Sequence, residues 1–350
     1  MGNTACRVPS TEEMEELRGQ EQVEARIAEA AAAIAKADIL VVHAGAGMSA
    51  DSGLPTFTET IASGVPYTEL CSPSAMKDDY DAFHTFWTQS ALRYAKAMPH
   101  EGYDVLAEWA TSLLAHSDRE EGKGKPPPFF VVTSNVDDLF LRSGVVERDT
   151  FRAIHGSAFW WRCAGSCPDP PLSPLCVGDE DGEDVAIGAC PECGGRMRPN
   201  VKLFGDQEWE EPSEVEERHV EWWSAVEEWV EGELEKEGGD PSVVVLEIGA
   251  GTHVSVIRNI SEHLVGELCD LGPGVAKLIR INPDFPLLDS SSLSPSVCIP
   301  IAAPARDTLL SLHHTIHHNH PPHPSTTPIH HTIHHTIHNG TYEGKGIHEE

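Results

Sequence analysis

The chain has 350 residues, of which 40% are hydrophobic and 23% charged, so it can form one large globular domain with a small appendage. It has neither the run of about 18 apolar residues that a membrane span needs nor the basic and then apolar start of a secretory signal. The formal net charge of -32 argues against direct binding to nucleic acid. It suits basic protein tails as partners, although solubility alone would also explain it.

The first 20 residues are polar and are expected to form a flexible N-terminus ahead of a domain spanning 21–312. The start, Met1 to Cys6, is similar to an N-myristoylation sequence, with cysteine where serine or threonine is usual. Acyl chains on both Gly2 and Cys6 would anchor part of the protein at a membrane, because stable anchoring takes two lipid signals. The alternative is an unmodified tail. We expect an intracellular protein, cytoplasmic or nuclear, with or without such an anchored fraction.

Helices and strands are predicted to alternate along the domain. Residues 21–36 are alanine-rich helix formers, and 38–43 predict a buried strand that runs into a glycine turn. Residues 64–116 are predicted to be mostly helical, and 129–133 to form a second buried strand. This order of strand, glycine turn and helix is typical of the opening of a nucleotide-binding α/β unit.

The second half continues the alternation after a cysteine-containing segment. Residues 208–237 predict a glutamate-rich amphipathic helix whose tryptophans, Trp209, Trp222, Trp223 and Trp229, face the core. Apolar runs at 243–248, 277–282 and 297–301 predict three further strands. We therefore predict an α/β fold, a doubly wound parallel sheet with helices on both faces.

Four of the nine cysteines form two tight pairs, Cys163 with Cys167 and Cys190 with Cys193. Thiolates in two tight turns suit a tetrahedral zinc ion that keeps no open position. The spacing therefore predicts a structural zinc module inserted at about 156–200, and four reduced free thiols are the alternative. Residues 313–350 are rich in His, Pro, Thr and Ile, which predicts a low-complexity tail; histidine tracts can also bind transition metals.

Several polar or glycine residues follow predicted strands, where ligands of parallel sheets bind. Gly45-Ala46-Gly47 lets the backbone approach a phosphate closely. Asn135, Asp137 and Asn282 follow other strands, so one site is expected to collect them. His155 is a candidate general base, because a neutral imidazole can accept a hydroxyl proton near pH 7. Taken by itself, a histidine here is more often structural, in the approach to the zinc module, than catalytic.

The motifs together resemble the sirtuin family over 21–312. The run from Gly45 to Phe57 is similar to its NAD-binding sequence, Thr133 to Asp137 to its Thr-Gln-Asn-Ile-Asp, and His155-Gly156 to its catalytic His-Gly. The two cysteine pairs follow in order. Later segments, 201–206, 249–252 and 281–283, resemble its peptide-binding segment and its last two NAD-binding loops. The whole series in order is far more specific than any single motif.

The resemblance implies a Rossmann-like fold with structural zinc, and an NAD-dependent deacylase acting on acyl-lysine proteins. Its products would be free lysine, nicotinamide and O-acyl-ADP-ribose. His155 would be the catalytic base acting on a ribose hydroxyl, Asn135 would orient ribose and water, and Asp137 would hold the nicotinamide carboxamide. The implied NAD contacts are Gly45, Ala46, Gly47, Ser49, Phe57, Asn135, Asp137, Gly251, Thr252 and Asn282. The implied substrate-peptide contacts are Val201, Leu203, Phe204 and Gly205, of which Phe204 equally suits the core.

The chain departs from the family pattern at Thr56-Phe57-Thr58, where many sirtuins have Asp-Phe-Arg. The missing arginine removes a charge-assisted hydrogen bond worth about 1.5–3 kcal/mol. Ser134 also replaces the usual glutamine. Two alternatives therefore stay open: mono-ADP-ribosyl transfer to protein, and a module that binds NAD with little catalysis.

Overall fold

The computed structural model describes residues 6–56, 66–117, 125–165, 167, 172–177 and 185–319. Gly2, Phe57, Thr58 and the sequence after 319 lie outside the described residues. Within the described part, no helix has both the length and the apolar composition that a membrane crossing requires.

Eleven α-helices and eleven strands make up the described part of the chain. The helices are α1 (Thr11–Leu17), α2 (Gln20–Ile34), α3 (Ala46–Ala50), α4 (Tyr67–Leu70), α5 (Pro73–Asp78), α6 (Tyr80–Lys96), α7 (Glu101–Ser117), α8 (Leu139–Arg142), α9 (Ser213–Leu234), α10 (Val256–Leu271) and α11 (Ala305–Asn319). The strands are β1 (Ile39–Ala44), β2 (Phe129–Thr133), β3 (Phe151–Ala153), β4 (Gly156–Cys163), β5 (Ser173–Pro174), β6 (Cys176–Val177), β7 (Val185–Ala186), β8 (Met197–Val201), β9 (Val243–Ile248), β10 (Ala276–Ile281) and β11 (Cys298–Ile301). Short 3-10 turns lie at Arg148–Thr150 and Pro295–Val297.

Six parallel strands form the central sheet in the order β3-β2-β1-β9-β10-β11. Strands β1, β2 and β9 are buried along their whole length, as expected of β-branched and aromatic runs covered on both faces. The strand order reverses between β1 and β9, which is the topological switch point of a doubly wound sheet. The predicted fold class is confirmed.

Alternate residues of each central strand enter different cores. Leu40 and Val42 of β1 pack with helices α2, α7 and α11, whereas Ile39 and Val41 pack with α9 and α10. Strand geometry explains this division, because successive side chains point to opposite faces. The sheet is therefore held rigidly between two layers of helices, with the loops at the ends of its strands left to form a site.

A small antiparallel unit is inserted between β3 and β9. Strand β4 pairs with β8 and β5, and β6 pairs with β7. A third core joins this unit to α6 through Phe83, Trp87, Trp161 and Met197. The unit therefore packs against the helical segment before β2.

The structure differs from expectation at several boundaries. Within the predicted flexible N-terminus, α1 is stabilised by a capping box between Ser10 and Glu13. Helix α9 begins at Ser213, directly after Pro212, so Trp209 is buried ahead of the helix rather than within it. Helix α11 continues to Asn319, past the predicted tail boundary at 313, because Leu309 and Leu312 anchor it in the core.

Candidate active site

Two glycine loops meet backbone to backbone at the switch point between β1 and β9. A Cβ atom on Gly47 would lie 2.6 Å from Gly249 Cα, and one on Gly45 would lie 2.7 Å from Ala250 Cα. Gly249 itself has φ +62°, a conformation that side-chain-bearing residues rarely adopt. The glycines are therefore required by contact between loops, and they leave the first turn of α3, from Ala46, above the carboxyl ends of the strands.

Ser49 connects two predicted site residues. Its hydroxyl donates to Asp137 Oδ2 at 2.6 Å and accepts from Asn135 Nδ2 at 3.0 Å. The second proton of Asn135 Nδ2 goes to the carbonyl of Gly45, also at 3.0 Å. All three side chains are buried. The structure therefore brings the residues after β1 and those after β2 into one hydrogen-bonded group.

Two oxygen atoms of this group differ in whether they have a hydrogen-bond partner. Asp137 Oδ1 accepts from the amide of Leu139 at 3.0 Å, and burial raises the pKa of the carboxyl. Asn135 Oδ1 is buried and has no hydrogen-bond partner among the described residues. A buried acceptor left unpaired costs about 1–3 kcal/mol, so it is suited to accept a hydrogen bond from a ligand or an ordered water.

His155 lies at the turn between β3 and β4. Its Nδ1 is 3.2 Å from the carbonyl oxygen of Ser134, the neighbour of Asn135 in sequence. A carbonyl only accepts, so Nδ1 carries the proton and Nε2 of the neutral ring carries the lone pair. Burial and the charge of Lys202 lower the pKa of His155 to about 4. The ring is therefore neutral at pH 7 and able to accept a proton at Nε2.

The predicted cofactor residues in the loops after β9 and β10 differ in their contacts. Asn282 holds the loops together: its Nδ2 donates to the carbonyl of Ala250 at 2.8 Å, and its Oδ1 accepts from the amides of Asp284 and Phe285. Gly251 is exposed, with open space where a Cβ would be. Thr252 is half-buried, and its carbonyl lies 3.9 Å from the thiol of Cys6.

The predicted peptide segment follows β8 directly. The amide of Lys202 donates to the carbonyl of His155 at 3.0 Å, and the amide of Phe204 to that of Cys71 at 2.8 Å. Val201 and Leu203 are buried in the third core, and Gly205 has φ +74°. Phe204 packs at the edge of that core, its ring 6.1 Å from Tyr67. The segment is thus tied to the turn that carries His155.

The four paired cysteines converge at the tip of the inserted unit. Their sulfurs all lie within 4.8 Å of one another, with Cys163 3.7 Å from Cys193 and Cys167 3.9 Å from Cys190. Zinc–sulfur bonds of about 2.3 Å in a tetrahedron place sulfurs about 3.8 Å apart. The residues therefore fit a structural zinc ion, and Cys176 is not part of this group.

The model of the Sir2 family matches residues 45–222, just over half of the chain. An NAD-dependent protein deacylase of Mycolicibacterium paratuberculosis is 31% identical over 261 residues, which are 73% of this chain and 90% of that protein.

The chain belongs to the Sir2 family.

Other relatives agree with this membership. NAD-dependent protein deacylase 1 of Pseudomonas aeruginosa is 31% identical over 178 residues, but this match spans 49% of the chain and only 64% of that protein. A Sir2 homolog solved as an NAD complex superposes with a TM-score of 0.56 at 22% identity, covering 83% of this chain and 94% of that one. A Sir2–p53 peptide–NAD+ structure gives 0.52 at 17% identity, covering 81% and 95%. These solved structures share the sirtuin fold.

Sequence reasoning missed several residues that support this sirtuin site. Tyr103 lies 3.4 Å from the Ser49 hydroxyl, and His100 Nε2 lies 2.8 Å from the carbonyl of Met48. Tyr103 belongs to the first turn of α7 and His100 directly precedes that helix, in a segment that is distant in sequence from every motif. Asp138 occupies the N-cap position of α8 without a side-chain cap hydrogen bond; its carboxylate accepts from Ser157 at 2.7 Å, and burial raises its pKa to about 6.

A buried ionic cluster behind the last two loops was also missed. Arg280 of β10 contacts Glu247 of β9 at 2.7 Å and Glu262 of α10 at 2.9 Å. Arg258 of α10 contacts Asp289 at 2.6 Å and also binds the carbonyl of Phe285. Buried charges are tolerated only when paired and hydrogen-bonded in this way. The cluster fixes the loop after Asn282 against the glycine loop after β9.

Proposed function

We propose that this sirtuin is an NAD-dependent protein-lysine deacylase that forms nicotinamide and O-acyl-ADP-ribose. One observation carries the proposal: His155 is held as a neutral proton acceptor by Ser134, next to the buried Ser49, Asn135 and Asp137 group at the switch point. A site of this kind combines a dinucleotide cradle with a positioned general base. The names of the relatives support the same activity.

The chain's own residues divide the work as follows. The glycine loops bring backbone close to the pyrophosphate, and the unpaired Asn135 Oδ1 accepts from a ribose hydroxyl or a water. Asp137 holds the nicotinamide carboxamide. Nε2 of His155 takes a proton from a ribose hydroxyl. NAD, when bound, supplies the ribosyl carbon that the acyl oxygen attacks and nicotinamide as leaving group. Phe57, which would shield this carbon from water, lies outside the described residues.

The substrate is proposed to bind as an extended peptide along 201–205. In an extended chain, successive amides point in opposite directions. The amides of Lys202 and Phe204 donate inward to the carbonyls of His155 and Cys71, so the amide of Leu203 is expected to face an added strand. At Gly205, with φ +74°, the chain has already left the extended conformation. Backbone pairing gives affinity with little demand on sequence. Basic protein tails are the proposed class of target, in view of the net charge of -32.

The compartment is proposed to be the cytoplasm or nucleus, where thiols stay reduced and a four-thiolate zinc site persists. A membrane-anchored fraction acylated at Gly2 and Cys6 remains part of this proposal. Mass spectrometry of the N-terminal peptide from native cells tests it: unmodified Gly2 and Cys6 would remove the anchor.

The deciding experiment is nicotinamide release from NAD with and without an acetyl-lysine peptide. We expect release that depends on peptide, with one O-acetyl-ADP-ribose formed per nicotinamide. Release that is independent of peptide, with ADP-ribosylated protein as product, would instead assign ADP-ribosyl transfer. NAD binding without nicotinamide release would mean that the chain, with Thr56 and Thr58 in place of the usual Asp and Arg, has lost its catalytic activity.

The matched variant for this assay is His155→Ala. We expect release to fall about 100- to 10,000-fold, because a positioned general base contributes that much. The melting temperature and NAD affinity should stay close to those of the native protein, since His155 makes one side-chain hydrogen bond and is only half-buried. Full activity of this variant would contradict the assignment of His155.

A further inference from the structure

A second group of potential metal ligands lies far along the chain from the cysteine cluster, between helices α7 and α11. Glu108 projects from α7, and His313 and His317 project from the same face of α11, one helical turn apart. Their ligand atoms all lie within 4.8 Å of one another. None of these three side chains has a role in the proposed deacylation.

The geometry is already close to that of a bound ion. His313 Nε2 lies 3.4 Å from Glu108 Oε2, and the rings of His313 and His317 are 4.3 Å apart. Bonds of about 2.0–2.1 Å from a tetrahedral ion place neighbouring N and O ligands about 3.3–3.4 Å apart. The first pair needs no movement, and the exposed His317 already has its ligand atom within 4.8 Å of the other two.

The surroundings hold His313 in position as a ligand. The side chain is half-buried beside Trp109, whose ring is 6.5 Å away, and its Nδ1 has no hydrogen-bond partner among the described residues. Its Nε2 lies 3.4 Å from the carboxylate of Glu108. The packed ring therefore directs one nitrogen toward that carboxylate.

We propose that Glu108, His313 and His317 form a second metal site for a first-row transition-metal dication, separate from the cysteine cluster. Two imidazoles and one carboxylate are a donor set that suits zinc, nickel or copper. The fourth position is open to water. Since Glu108 and the two histidines come from different helices, the bound ion clamps the C-terminal helix α11 to α7.

The same helix supplies a matched control. His314 and His318 have the same four-residue spacing, with rings 4.5 Å apart, and both are exposed. They belong to no group of three potential ligands among the described residues. Helix α11 therefore carries one histidine pair with a third potential ligand and one pair without it.

The test is the shift in melting temperature that Ni²⁺ causes in the full-length, zinc-loaded protein. Histidines after 319 can also bind nickel, so total binding is not a useful readout. Thermal stability is a useful readout, because an ion raises it only when it binds the folded state better than the unfolded state. At about a hundredfold excess over Kd, we expect a rise of about 4 °C.

The variants decide the assignment. The nickel-induced rise is expected to disappear in Glu108→Gln and in His317→Ala, each measured against its own metal-free melting temperature. It should persist in the double variant His314→Ala/His318→Ala. The proposal is overturned if nickel does not stabilise the native protein, if the rise survives in both single variants, or if the control variant loses it equally. Peptide-dependent nicotinamide release, measured in parallel, reports separately on the proposed deacylase.

Discussion

His155 is held in one tautomer by a single contact, and its basicity is set by two neighbours of opposite effect. Burial and the ammonium group of Lys202 lower its pKa to about 4, while the carbonyl of Ser134 favours the protonated form. Lys202 is exposed and lies on the proposed peptide-binding segment. A substrate that covers Lys202 would therefore change the basicity of the ring at the moment of binding.

Replacing Lys202 tests this coupling. In Lys202→Met the pKa of His155 should rise, because a nearby positive charge no longer opposes protonation. The native ring is neutral above about pH 4; in the variant, protonation should persist to higher pH, and the acidic limb of kcat/KM should move the same way. NMR titration, with the His155 signal assigned from His155→Ala, measures the shift. An equal shift in Lys36→Met, an exposed lysine that does not affect the His155 pKa, would contradict the explanation.

At the scale of elements, the glycines allow the loops after β1 and β9 to contact each other backbone to backbone. A Cβ on Gly47 would meet backbone atoms of Gly249, which cannot rotate away as a flexible side chain would. Gly232, in α9, faces open space instead. The two positions therefore predict opposite results for the same chemical change.

Gly47→Ala should separate the loops, lower stability by about 1–3 kcal/mol, and weaken NAD binding at least about tenfold. Gly232→Ala should raise stability by about 0.5–1 kcal/mol, since alanine favours the helix interior. Calorimetric titration with NAD and thermal melting measure both effects. Native-like NAD affinity in Gly47→Ala would show that the loops can separate without loss of the proposed NAD site.

The inserted unit depends on its cysteines, because its strands are short and its core includes Cys163 and Cys190. Cys190→Ala should remove the bound zinc and lower the melting temperature by about 4 °C or more, corresponding to a loss of about 3 kcal/mol. Cys176→Ala, an exposed cysteine outside the cluster, should leave both unchanged. Metal analysis and thermal melting are the measurements. A zinc-free Cys190→Ala protein with native melting would contradict a structural role.

How well the sequence predicted each helix or strand depended on whether that element has a recognisable pattern of apolar residues. Long apolar runs gave β2 and β9 to the residue and placed β1, β10 and β11 within one residue. Strand β3 has only three residues and no pattern to detect, and the start of α9 depends on Pro212. In the site, residues that follow strands were predicted, whereas Tyr103 of α7 and His100 just before it lie in a segment that carries no motif. Buried Glu247 and Arg280 were hidden because their strands read as apolar.

For the whole molecule, the order of the strands brings the site together, and the net charge is expected to affect how substrates approach it. The segments that meet at the switch point are spread from 45 to 282, and only the order of parallel strands brings them together. The formal charge of -32 gives the protein a net negative field at long range. Such a field speeds the encounter with basic partners and repels acidic ones, including nucleic acid.

This field predicts a salt dependence that separates steering from mere solubility. Two acetyl-lysine peptides of equal length, one flanked by Lys and Arg and one by Ser and Gln, would be compared between about 50 and 300 mM NaCl. The Debye length falls from roughly 14 to 6 Å over this range, so attraction between exposed charges is largely screened. KM for the basic peptide should rise several-fold, whereas KM for the neutral peptide should change less than about twofold. Equal behaviour of the two peptides would mean that the acidic surface plays no part in choosing substrates, because charge that acts only on solubility cannot distinguish them.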